Sequence, residues 1–256
     1  MISKAKLKYI RSLEQKKYRR QEGVFVAEGP KVVGDLLAVA PAREVFATRE
    51  WISQQPACAS ARPWGTLTEV SDDELRKLSF LQHPQQVLAV FETALPHPST
   101  ADDELRLALD GVQDPGNLGT IIRIADWFGI GTIYCSLDTA DAYNPKVVQA
   151  TMGSIARVHI IYTDLSTLID SLPAGTPVYG TLLDGDDIYR QTLSARGLIV
   201  MGNEGKGISP AIADKVTHRL LIPNYPEGRE TADSLNVAIA TAITCAEFRR
   251  QAHRPI

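Results

Sequence analysis

Six short apolar runs after residue 104 alternate with stretches of helical pattern. The runs are "LRLALDG" (105–111), "GTIYCS" (131–136), "ARVHIIY" (156–162), "PVYGTLL" (177–183), "GLIVMG" (197–202) and "HRLLIP" (218–223). The helical stretches include "GTIIRIADWFG" (119–129), "NPKVVQATMG" (144–153) and "SPAIADK" (209–215), the last with Ser209 placed to cap and Pro210 at the first helical position. A final helix is expected over "SLNVAIATAITCAEFRR" (234–250), whose terminal cations suit its carboxyl-end dipole. Strands that alternate with helices close into a parallel sheet covered on both faces. Ligands of such sheets bind beyond the carboxyl ends of the strands.

A second, smaller region precedes this one. "GVFVAEG" (23–29) reads as a strand, "PKVVGDLLAVA" (30–40) as a helix and "QVLAVFE" (86–92) as a closing strand. Two prolines, Ser, Thr and an acidic cluster make "ALPHPSTADDE" (94–104) a linker. The expected division is therefore a small α/β domain over 1–95, a linker over 96–104 and a parallel-sheet domain over 105–256.

Charge separates the two regions further. Residues 1–20 hold eight Lys or Arg against one acid, Glu14, in a chain whose net charge is −3. A local basic block on an acidic chain points to a polyanionic partner, with Lys16, Lys17, Arg19 and Arg20 as its densest part. A solvated helix face would carry the same charges. No apolar stretch approaches the roughly 20 residues that span a bilayer, and the basic start lacks the apolar segment of a secretory signal. The three cysteines, Cys58, Cys135 and Cys245, lie far apart, with no disulfide framework and no zinc spacing. The expectation is a cytoplasmic protein without a metal.

Three loops at expected carboxyl ends are unusual: "DGVQDPGNLGT" (110–120), "GNEGKGIS" (202–209) and "PNYPEGRETADSLN" (223–236). The glycines of the second invite a phosphate-binding reading, which its order of residues defeats. A Walker A loop needs Lys followed by Ser or Thr, and here Gly207 follows Lys206. A dinucleotide fingerprint is G-x-G-x-x-G, whereas 202–207 reads G-x-x-G-x-G. H-E-x-x-H and G-x-S-x-G are also missing. What the loops share is Asn, Gly and main chain, a set that grips a polar heterocycle while the cofactor supplies the reactivity.

Taken in order, "QDPGNLGTIIRIADWFGI" (113–130), "IVMGNEGKGIS" (199–209) and "LIP…SLNVAIATAI" (221–243) resemble the three motifs of the SpoU/TrmH family, SPOUT-class RNA ribose 2′-O-methyltransferases. The resemblance covers about 105–256, and the preceding region looks like the ribosomal-protein-like RNA-binding domain often fused to that family. It implies a deep trefoil knot, an obligate homodimer, and S-adenosylmethionine bound by the knotted loops. The substrate class it implies is RNA, ribosomal or transfer. By position, the cofactor residues fall on Thr181, Leu182, Gly202, Asn203, Gly207, Ile222 and Leu235. The catalytic set falls on Asn117, Arg123, Glu204, Ser234 and Asn236. Many relatives place Ser-Leu-Asn only a few residues after Ile-Pro. Here "NYPEGRETAD" intervenes, bringing Glu227, Arg229 and Glu230 beside the expected cofactor site.

Local alternatives stand beside these roles. Arg123 is spaced to pair with Asp126 at i+3, Asn117 to close a turn or cap a helix beginning near Gly119, and Ser234 to cap the last helix. Two rival functions are a noncatalytic RNA-binding protein that keeps the fold and a knotted methyltransferase acting on a base.

Overall fold

The computed structural model describes residues 2–55, 64–93, 104–226, 229 and 232–252. In chain order the elements begin with α1 (Lys4–Ser12), α2 (Lys16–Glu22), β1 (Val24–Glu28), α3 (Pro30–Leu37), β2 (Ala42–Ala47), α4 (Arg49–Gln54) and β3 (Trp64–Glu69). They continue with α5 (Asp72–Leu78), β4 (Val87–Glu92), β5 (Leu105–Leu109), α6 (Pro115–Trp127), β6 (Thr132–Cys135), α7 (Pro145–Ala150) and β7 (His159–Tyr162). The last are α8 (Leu165–Asp170), β8 (Val178–Asp187), β9 (Gly197–Met201), α9 (Pro210–Ala213), β10 (His218–Leu221) and α10 (Val237–Ala252). Among the described residues no helix is long and apolar enough to cross a membrane.

These elements group into two compact units. The first comprises Met1–His97 together with Asp141–Arg157, and the second comprises Pro98–Ala140 and Val158–Ile256. The sequence reading kept 141–157 with the parallel-sheet domain; its packing places it in the first unit. The linker expected over 96–104 lies, except for Glu104, outside the described residues.

In the first unit the strands run in the order β1-β4-β2-β3. β4 is antiparallel to both β1 and β2, while β3 lies parallel to β2 at one edge. Ser3 caps α1 by accepting from the Lys6 N–H, and Ser71 with Glu74 forms a reciprocal capping box on α5. Ile10 and Leu13, just before and after the end of α1, join Val24, Val26, Phe46, Leu78 and Leu88 in one buried core. The inserted segment is fastened by specific groups. The Tyr143 ring lies 4.7 Å from Phe25, and its hydroxyl donates to the Thr93 carbonyl at 2.6 Å. Val147 and Val148 on α7 are buried.

The second unit holds six parallel strands in the order β10-β8-β9-β5-β6-β7. Strand order reverses at β5: β6 and β7 lie to one side, β9, β8 and β10 to the other. The carboxyl ends beside this reversal are where a parallel sheet leaves room for a ligand. β8 outruns its expected end at residue 183. "DGDD" (184–187) has turn composition, yet Leu220 and Leu221 pair with Asp186 and Asp187 across a shifted register. A Cβ at Gly185 would stand 2.6 Å from the Leu220 carbonyl carbon, so glycine permits the extension.

Candidate active site

The loops that follow β5, β9 and β10 meet beyond the strand ends. Asp114 caps α6, its carboxylate accepting from the Asn117 N–H at 2.8 Å, with Pro115 in the first turn. The helix therefore starts four residues before Gly119, and Asn117 is not its cap. Its side chain is free to reach across. Asn117 Nδ2 donates to Glu204 Oε1 at 2.9 Å, and Asn117 Oδ1 accepts from Asn236 Nδ2 at 2.9 Å. Asn236 Oδ1 in turn accepts from the N–H groups of Ala238 and Ile239 at 3.0 and 3.3 Å. Asn236, and not Ser234, thus caps α10. A carboxylate can only accept, so the chain of donors runs in one direction from the helix end to Glu204. Three residues from three loops are tied into one network.

The glycine-rich loop has its own internal frame. Asn203 and Gly207 exchange both backbone hydrogen bonds, each 2.9 Å. Asn203 Oδ1 accepts from the N–H groups of Gly205 and Lys206 at 2.9 and 3.0 Å, and Nδ2 donates to the Gly111 carbonyl at 2.6 Å. The N–H groups that a phosphate cradle would aim at a ligand are already committed to Asn203. That disposes of the phosphate reading on geometry as well as on residue order. Ser209 N–H donates to Asp110 Oδ2 at 2.7 Å and anchors the loop's far end to the end of β5. Gly202 lets the loop fold back on itself: a Cβ there would meet the Gly207 carbonyl carbon at 2.2 Å and the Ile208 nitrogen at 2.3 Å.

Under these loops lies a cavity of about 360 Å³. Its walls include Thr181, Leu182, Gly202, Asn203, Gly207, Ile222 and Leu235, together with Glu204 and Ser234. The sequence reading missed Leu183, Met201, Lys206, Leu220, Leu221, Asp233, Val237 and Ala240, which also border it. Strand residues such as Met201 and Leu220 read from sequence as plain core. Only Lys206, the cation of the glycine-rich loop, carried a visible signal. Thr181 Oγ1 lies 3.6 Å from the Met201 sulfur across this wall.

Arg123 stands exposed on α6, and no described carboxylate, Asp126 included, pairs with it. The interposed segment after β10 is only partly described; Glu227 and Glu230 lie outside the described residues. Arg229 is exposed, and its carbonyl accepts from Asn224 Nδ2 at 3.1 Å. Among the described residues no group of three or more His, Cys, Asp or Glu side chains is placed to hold a metal ion.

The basic block behaves less uniformly than its charge suggests. Lys16, Lys17 and Arg20 are exposed on α2, but Arg19 is 2% exposed. Its guanidinium donates to the carbonyls of Leu13 and Glu14 at 2.9 and 2.7 Å and pairs with Asp141 at 2.5 Å. A buried, paired guanidinium cannot grip a phosphate, so Arg19 leaves the expected RNA-binding set and becomes a structural clamp.

Comparison with known proteins agrees with this architecture. Residues 104–246 match the SpoU rRNA Methylase family, and residues 4–89 match the MRM3-like substrate binding domain. A 23S rRNA (guanosine(2553)-2′-O)-methyltransferase, RlmP, of Bacillus subtilis (strain 168) is 32% identical over 95% of this chain and 96% of its own length. The structure of an AdoMet-bound rRNA methyltransferase from Sinorhizobium meliloti superposes with a TM-score of 0.84 at 34% identity, over 98% of this chain and 96% of that one. A TrmH-family structure from Porphyromonas gingivalis gives 0.86 at 40% identity, over 98% and 99%. Matched over more than half its length, this chain belongs to the SpoU rRNA methylase family.

Proposed function

We propose that this protein transfers a methyl group from S-adenosylmethionine to a ribose 2′-hydroxyl of ribosomal RNA, acting as a cytoplasmic homodimer. The observation that carries the reading is the cavity beneath the linked loops, bordered by the residues matched to the family's cofactor set. Its residues fit that cofactor. A volume of about 360 Å³ falls in the range of roughly 300–1,000 Å³ usual for small-molecule sites. Leu182, Ile222 and Leu235 offer apolar surface for a purine, with main chain from Gly202 to Gly207 beside it. The carboxylates of Glu204 and Asp233 suit a ligand that carries positive charge. When bound, S-adenosylmethionine supplies an electrophilic methyl on a sulfonium centre.

The rest of the task falls to this chain's side chains. A guanidinium with a pKa above ~12 makes a poor base. Arg123, exposed and without a described acidic partner, instead holds the RNA phosphate in its planar fork and orients the ribose hydroxyl. The Asn236–Asn117–Glu204 chain fixes the loops around the hydroxyl's approach and keeps the Glu204 carboxylate in place. The trefoil knot implied by the family is consistent with the β9 and β10 loops bordering one cavity while Asn117, after β5, bonds to Glu204 in its wall. Large apolar side chains exposed on α6 and next to or on α10 (Trp127 at 85%, Leu235 at 50%, Ile239 at 53%) support a two-fold partner face.

The test pairs binding with turnover. Calorimetry should detect one S-adenosylmethionine per chain, and tritium from the labelled cofactor should enter ribosomal RNA from a strain lacking this gene. Binding without any transfer would leave a noncatalytic RNA-binding protein and overturn the proposal.

A further inference from the structure

We propose that the concavity between the start of α1 and strands β2 and β3 of the first unit seats a sugar-phosphate segment of the RNA substrate. This inference rests on the RNA-methyltransferase reading above. The concavity has a volume of about 420 Å³, with Ile2 and Phe46 as its apolar lining and Ser3, Lys6, Arg43, Glu44, Thr66 and Thr68 as its polar border. Of its cations, Lys6 comes from the basic block of residues 1–20 but not from its densest part, and Arg43 lies outside the block.

The topology explains how the site stays open. β3 is an edge strand, and its parallel register sets Thr66 beside Glu44 and Thr68 beside Phe46. α1 lies over this face: Lys6 Nζ pairs with Glu44 at 2.7 Å, and Ile10 packs in one core with Phe46. The cover stops short of the edge, where Thr66 is exposed and Thr68 half-buried. Arg43 is exposed and has no ion-pair partner among the described residues. Lys4 and Lys8 are exposed on the same helix, whose first turn contains no acid, although the Glu74 carboxylate accepts from the Ile2 N–H just before it at 2.8 Å.

The donor set matches a ribonucleotide backbone better than a simple anion. Arg43 suits a phosphate, which fixes register without reading sequence, and Lys6, already paired with Glu44, adds positive charge nearby. Glu44 and the two threonine hydroxyls suit a ribose 2′-hydroxyl, the group that separates RNA from DNA.

The experiment uses the full chain and a labelled ten-nucleotide oligouridylate, with the matching oligodeoxythymidylate as comparison. Salt titration of the wild type should give a log–log slope that Arg43→Ala reduces by roughly 0.7, the value of one single-strand phosphate contact. Arg43→Lys should restore most of that slope, because it restores the charge. Thr66→Glu should weaken oligouridylate binding about tenfold or more by adding a like charge beside the phosphate. Both positions are exposed, so thermal midpoint and S-adenosylmethionine affinity should hold in every variant. Wild-type binding lost in this pattern supports the seat even if no methyl reaches ribose, a result that would sink only the functional reading. Oligouridylate that fails to bind the wild type, binds it no better than the DNA, or ignores both Arg43→Ala and Thr66→Glu overturns the seat.

Discussion

The two units use polar side chains for opposite ends. In the second unit Asn117 bonds to both Glu204 and Asn236 and ties loops together beside a cavity of about 360 Å³. In the first, Arg19 and Asp141 bond at 2.5 Å to hold two stretches of chain together, with side-chain exposures of 3% and 15%. Neutral amides can be arranged in a chain with each donor matched, and the site stays accessible. A buried ion pair repays its desolvation only by close, complete contact, which leaves nothing for a ligand. The same distinction separates Arg19 from Arg43 within one unit. Of the two arginines, the exposed and unpaired one is the one available to RNA.

The largest expected effect breaks the clamp. Arg19→Ala strands Asp141 in a buried setting and should cost about 3–5 kcal/mol of stability, whereas Lys16→Ala, Lys17→Ala or Arg20→Ala should each stay within about 0.5 kcal/mol. Denaturant unfolding compares them directly. A chain without the first 97 residues removes the same partners from 141–157, including Phe25 beneath Tyr143, and should lose cooperative unfolding of that segment.

Next in size is the exposed arginine of α6. Arg123→Ala should lower methyl transfer on the order of 10²–10³-fold, the usual loss for a group that grips charge at the reacting centre. Cofactor affinity should stay near wild type. Arg123→Lys should rescue poorly, since an ammonium lacks the planar fork. Single-turnover rates beside calorimetry separate the two effects.

A smaller cost attends Gly202→Ala. The added methyl would meet backbone at 2.2 Å, so the loop must shift, at about 1–3 kcal/mol. Because that loop borders the cavity, S-adenosylmethionine affinity should fall together with the thermal midpoint. A variant that unfolds earlier yet binds cofactor normally would detach the loop from the site.

The smallest effect is a pH dependence in the first unit. Burial raises the pKa of Glu28 on β1, against the opposing hydrogen bonds from the Ser79 hydroxyl and the Phe80 N–H. A carboxyl raised in the folded state favours folding fully below the ordinary glutamate range and loses that contribution as pH rises through the raised value. Glu28→Gln should flatten that decline in thermal midpoints measured from about pH 4 to pH 7.

Much of this was legible in the residues because local and global signals agreed. Strand and helix alternation marked the parallel sheet, and the three loops with their Asn, Gly and Glu marked the site. What stayed hidden depended on contacts distant in sequence. "DGDD" (184–187) has turn composition, but a register shift beside Leu220 makes it strand. Asp141–Arg157 follows β6 in the chain, yet Phe25 and Arg19 draw it into the first unit. Asn203 borders the cavity as the motif implies, but that its side chain frames the loop through Gly205, Lys206 and Gly111 has no sequence signal. The basic block counted charges correctly and could not say which of them would be buried. A cavity formed by α1 and the paired edge of β2 and β3 has no motif at all.

The central claim is that the cavity of the second unit serves methyl transfer to a ribose oxygen of ribosomal RNA. The most direct measurement incubates the full chain with methyl-labelled S-adenosylmethionine and ribosomal RNA from a strain lacking the gene, then digests the product in alkali. A 2′-O-methyl group removes the hydroxyl that alkaline cleavage requires, so the account predicts label in an alkali-resistant dinucleotide. Label recovered in mononucleotides, as from a methylated base, or no label in RNA at all, would contradict it.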